Sequence, residues 1–130
     1  MKGTIKLVNP ITVAMNGKQV ELTQLQYNTE EITGQMFCEA DAKRRIAAGT
    51  KNVSIAPAAE FDYGLHLYLG FAACVAAAPE IDFSDLERIH GADVVEIMAV
   101  GRNFILKSED SAQNNSDVPT EAIAAPTTQA

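Results

Sequence analysis

Ile11-Thr12-Val13-Ala14-Met15-Asn16-Gly17-Lys18-Gln19-Val20-Glu21-Leu22 is the stretch whose reading decides the fold. Two alternating runs flank Asn16-Gly17. Asn-Gly is the strongest short-range hairpin signal, because both central residues of a type I′ turn need positive φ. A two-residue loop there sets Val13 opposite Val20 and Ile11 opposite Leu22 on one face. Thr12 opposite Glu21 and Ala14 opposite Gln19 then fall on the other. A single register therefore yields an apolar face and a polar face together, as a half-buried sheet requires. Upstream, Ile5 and Leu7 alternate with Lys6, so residues 1–25 read as β-strand. Pro10 suits a strand start or an edge, where its missing N–H does no harm.

Beyond the hairpin the period becomes helical. Residues 28–48 read as a first helix, with Asn28 as N-cap, Glu31 three positions on, and Tyr27 and Ile32 as a hydrophobic staple. Glu30 and Glu31 at its start, and Lys43, Arg44 and Arg45 near its end, match the helix dipole. Ile32, Met36 and Ala40, with Phe37 beside them, form its inward face. Residues 49–60 read as a connector. Residues 61–78 read as a second helix, apolar nearly all round and closed by Pro79, which belongs at the centre of the fold. Its alanines allow neighbouring elements close approach. Ser84-Asp85-Leu86-Glu87 reads as a capping box that opens a third helix. Val94, Ile97, Met98, Gly101 and Ile105 continue it as an amphipathic stripe to about Leu106. The expected fold is α+β: an N-terminal antiparallel β-hairpin or small sheet packed on about three α-helices, in one domain over residues 1–106. Residues 107–130 hold no aromatic, and only Val118 and Ile123 as large apolar groups. They read as a disordered, acidic, polar tail that cannot offset the entropy of ordering.

The whole chain has 130 residues, 47% apolar and 21% charged, with net charge −7. That leaves room for a core, while the acidic balance argues against a nucleic-acid partner, which calls for a basic face. The N-terminus lacks the apolar run of a signal peptide. The most apolar segment, residues 67–78, is shorter than the ~18 residues of a membrane span. A cytoplasmic, membrane-free protein with reduced Cys38 and Cys74 is the expectation.

Chemistry is sparse. His66, His90, Cys38 and Cys74 have no metal-ligand spacing, so neither metal nor cofactor is expected. Cys38 with His66 or His90 is the one nucleophile–base combination, and both cysteines read as small core hydrophobes. Glu80, Asp82 and Asp85 read as linker and helix cap rather than an acid–base pair. Gly64, Gly70, Gly91 and Gly101 fall on helices, unlike a phosphate loop. No catalytic residue is expected. The second helix instead carries surplus apolar surface. Phe61, Tyr63, Leu67, Tyr68 and Phe71 cannot all face inward together with Leu65, Leu69 and Ala73. Either they bury against the sheet, as core in a small domain that uses every apolar residue, or some form a partner-binding patch. Tyr63, Leu67, Tyr68 and Phe71 are then the candidate exposed set, which would also serve a homo-oligomer.

The order of these parts resembles the tail assembly chaperones of contractile-tailed, Mu-like and related phages and prophages. Pro10-Ile11 through Asn16-Gly17-Lys18 to Leu22 and Leu25 is similar to that family's opening hairpin. Residues 29–39 are similar to its first helix, and residues 71–77 to its second. Asp85-Leu86, Ile89 and Asp93, followed by Phe104-Ile105-Leu106, are similar to its closing helix. The resemblance covers about residues 5–106 and leaves out the tail. It implies a non-enzymatic protein of the bacterial host cytoplasm, which binds the tape measure protein and helps the tail tube protein assemble around it. The alternative role is a structural virion component, such as a small tail or connector subunit.

Overall fold

The computed structural model describes residues 1–48 and 62–117. The expected connector, Phe61 and residues 118–130 lie outside the described residues. Strands β1 (Lys2–Met15) and β2 (Lys18–Asn28) form a two-stranded antiparallel sheet. A 3₁₀ turn (Thr29–Glu31) leads to helices α1 (Gly34–Ala48), α2 (Tyr63–Ala77), α3 (Phe83–Leu86) and α4 (Ala92–Asp117). The architecture is α+β, with the hairpin laid on the helices.

The turn is the one its residues demand. Asn16 has φ 53° and Gly17 φ 79°, both in the left-handed region of a type I′ turn. Val13 faces Val20, Ile11 faces Leu22, Thr12 faces Glu21 and Ala14 faces Gln19. Further along, the two strands fall out of step. Lys6 pairs with Gln24 and Ile11 with Leu22, so residues 7–10 of β1 stand against Thr23 alone. The excess residues arch outward, while Ile5, Leu7, Ile11 and Val13 all stay buried.

An arch leaves backbone donors without a strand partner, and buried donors need one. The carboxylate of Asp93, in the first turn of α4, supplies it. Asp93 accepts the N–H of Val8 at 2.8 Å and that of Asn9 at 2.9 Å, and its side chain is fully buried. The Asn9 amide also donates to the His90 carbonyl at 3.4 Å. This contact explains a departure from the sequence reading. The expected third helix is two helices, α3 and α4, separated at Gly91, whose φ is +70°. The chain must turn there to bring Asp93 beneath the arch, and glycine adopts that conformation without steric cost. α3 also starts earlier than Ser84. Asp82 is its N-cap, and the Asp85 carboxylate accepts the Asp82 N–H at 3.0 Å. Starting there buries Phe83 as well as Leu86. α4 runs on past Leu106 to Asp117, since each residue added to a formed helix gains a hydrogen bond for one residue fixed.

The first expected helix is likewise divided. Asn28 caps the 3₁₀ turn, accepting the Glu30 N–H at 3.0 Å. Thr29 is held back on the strand end, where its N–H and hydroxyl both donate to the Met1 carbonyl. Ile32 is extended, and the Thr33 hydroxyl then accepts the Met36 N–H to open α1.

α2 is the centre of the fold, touching α1, α3, α4, β2 and the 3₁₀ turn. Its crossing with α4 is backbone on backbone. A Cβ on Gly70 would sit 2.2 Å from the Ile97 carbonyl oxygen, and one on Gly101 would sit 1.8 Å from the His66 carbonyl oxygen. Arg44 joins α1 to the start of α2. Its buried guanidinium lies 2.8 Å from Asp41 and 3.7 Å from Asp62, and Asp62 in turn caps α2 by accepting the Leu65 N–H. The helix dipole alone, the role the sequence suggests for Arg44, does not account for this link between helices.

Two substitutions test this frame by denaturant unfolding. Gly101→Ala should cost at least the ~1–3 kcal/mol of ordinary overpacking, because backbone rather than a side chain must yield. Asp93→Asn keeps the shape but offers one of the two arch donors an amide NH₂ in place of an acceptor. It should cost roughly 1.5–3 kcal/mol, the range for a hydrogen bond to a charged group. Wild-type stability in either variant would contradict the assignment.

Candidate partner-binding site

The four residues expected to form an exposed patch do not form one. Tyr63 is 60% exposed and Leu67 is half-buried, but Tyr68 and Phe71 are only 7% and 2% exposed. α3 is the reason. Its Phe83 ring stacks on Tyr68, with centroids 6.5 Å apart and planes 11° apart. Tyr68 meets Phe71 edge to face at 5.0 Å. The Tyr68 hydroxyl donates to the Glu87 carboxylate at 2.7 Å. Burial, helped by that carboxylate, pushes the Tyr68 phenol up to about 12. The exposed and the buried members therefore belong to different surroundings. Tyr63 lies at the start of α2, near His66 with ring centroids 6.0 Å apart.

An open cleft of about 460 Å³ lies where α1 passes Tyr68 and Glu87. Lys43, Ile46, Ala47, Tyr68 and Glu87 line it. The Lys43 ammonium stands 5.6 Å from the Phe83 ring centroid, within cation–π reach. Ile46 is 77% exposed, a large apolar side chain left at the rim. The cleft thus combines an apolar lining with one cation and one carboxylate. Sequence reasoning missed Ile46, Ala47 and Glu87. The available signal was Ile46 itself, a lone large apolar residue directly after Lys43, Arg44 and Arg45.

The other candidates for chemistry are dispersed. Cys74 is fully buried, and burial pushes its thiol up to about 12, which makes it inert toward electrophiles at neutral pH. Cys38 is exposed, contrary to the expectation that it is a core residue. The inward face of α1 is carried by Ala40, with Met36 and Phe37 beside it, and Cys38 lies one position past it. Asp82 and Asp85 cap α3. Among the described residues, no three or more His, Cys, Asp or Glu are grouped to hold a metal ion. No helix among them is long and apolar enough to cross a membrane. Compared with known protein families, with curated proteins and with solved structures, the chain has no significant match.

The Tyr68–Glu87 contact has a titration signature. A phenol raised above its unfolded value of about 10 favours the neutral folded form. Its contribution to stability is complete below pH 10 and is lost as pH rises toward about 12. Of the three tyrosines, one should ionise last in an alkaline absorbance titration, and Tyr68→Phe should remove that last step. A wild-type titration with no separate last step would contradict it.

Proposed function

We propose that this chain is a phage tail assembly chaperone. In this reading it has no catalytic role. It binds the helical tape measure protein in the bacterial host cytoplasm and aids assembly of the tail tube protein around it. The observation that carries the reading is the cleft beside α1, with Ile46 exposed at its rim and Lys43 and Glu87 in its lining. A helix-in-groove partner is recognised by an apolar stripe docked against apolar side chains. Charged groups beside the stripe then set orientation more than affinity. The order of a hairpin followed by helices, with the central helix apolar on most sides, supports the same reading through the resemblance stated above. The acidic sequence after Leu106 suits a protein that must keep an aggregation-prone partner in solution.

The test is co-expression with the long helical tape measure protein, scored by that protein's soluble fraction and by co-purification. Wild-type chain should raise the soluble fraction several-fold and co-purify. Ile46→Asp alters a side chain already in solvent, so it should keep the melting temperature and lose co-purification. A tape measure protein equally insoluble with or without this chain would sink the proposal. Stoichiometric copies of this chain in purified particles would instead favour a structural tail component.

A further inference from the structure

The two edges of the hairpin are treated differently. Met15 and Lys18 flank a type I′ turn, so they form a hydrogen-bonded pair. Alternation then points the backbone groups of Thr12 and Ala14 outward on β1, and those of Gln19 and Glu21 outward on β2. One outward group on β1 is visibly taken: the Arg88 guanidinium donates to the Thr12 carbonyl. Farther along the same strand, Pro10 lacks a donor, and Asp93 takes the Val8 and Asn9 N–H groups. β1 is sealed as natural edge strands are. Among the described residues β2 has no such device: it contains neither Pro nor Gly, and no described residue hydrogen-bonds to its outer edge. Val20, in the middle of its straight part, is 37% exposed although its partner Val13 is buried.

We propose that two copies of this chain pair antiparallel through the outer edges of β2, about Val20, into one four-stranded sheet. Charge selects that register. Pairing about Glu21 would set two carboxylates directly opposite, which destabilises. Pairing about Val20 sets each Glu21 opposite a Gln19, whose amide can donate to it, and each Lys18 opposite a Leu22, away from the other Lys18. The two valines meet as a non-hydrogen-bonded pair, the closer of the two antiparallel kinds. The Gln19 and Glu21 backbones exchange the new hydrogen bonds. The strand's inward alternation slips between Leu22 and Leu25, both of which face the core, so pairing ends near Leu22. The closed two-fold arrangement uses up both bare edges, which stops growth into a fibre. This pairing is separate from the cleft and stands or falls without the chaperone reading.

Sedimentation and amide hydrogen exchange over a concentration series test it with the full chain. The expected result is a monomer–dimer equilibrium, with protection at the Gln19 and Glu21 amides that grows at least tenfold with concentration. Val20→Lys should be monomeric throughout, with a melting temperature that no longer rises with concentration as that of wild type does. Gln19→Pro, which removes only an outward donor, should behave alike. A monomer at millimolar concentration overturns the proposal. So does protection at these amides independent of concentration, which would mean the chain covers its own edge. A dimer that survives both substitutions overturns it too.

Discussion

The contact between the backbones of α2 and α4 sets the positions of the other elements. Gly70 and Gly101 have no room for a methyl group, so the two helices lie as close as main chains allow. That closeness places the first turn of α4 where Asp93 can reach the arch of β1. The hairpin, whose two strands would be marginal alone, is anchored by its buried apolar face and by a carboxylate delivered from the far end of the fold. A methyl group at either glycine acts on the hairpin through this chain of contacts.

A second consequence concerns edges. The side chains that hydrogen-bond the hairpin to the later helices, Asp93 and Arg88, both act on β1. On β1 these polar ties also protect the edge, whereas β2 is held by packing on α2 and no described residue covers its outer edge. The helical side has a comparable asymmetry. α3 is a single turn, yet its Phe83 and the following Glu87 close over Tyr68. What remains open is the strip between that closure and the end of α1, where Ile46 stands in solvent.

Much of this was legible in the residues, and the division has a physical basis. The Asn16-Gly17 turn and its register, the central place of α2, and the stripe from Val94 to Ile105 depend on neighbours within a few positions, which local periodicity reports. The arch does not, because its donors are satisfied by a residue 85 positions away. Tyr68 and Phe71 are covered because the segment that reads as the opening of one long third helix is a separate single turn, α3, set against α2. Ser84 and Glu87 satisfy the capping pattern locally, but burial of Phe83 moves the start to Asp82. Cys38 was placed inside on the strength of its neighbour Phe37, although adjacent helix positions differ by about 100° in direction. Of the site, Lys43 was seen only as a charge for the helix dipole, and Ile46 not at all.

A rigid frame thus carries a small open strip, which we propose receives a helix of the tape measure protein. Photo-crosslinking from a reactive residue at position 46, in cells making both proteins, tests that claim most directly. The expected result is a crosslink to the tape measure protein, absent when the reactive residue is moved to Thr4 on the solvent face of the hairpin. Equal crosslinking from both positions, or none from position 46 while the two proteins co-purify, would contradict it.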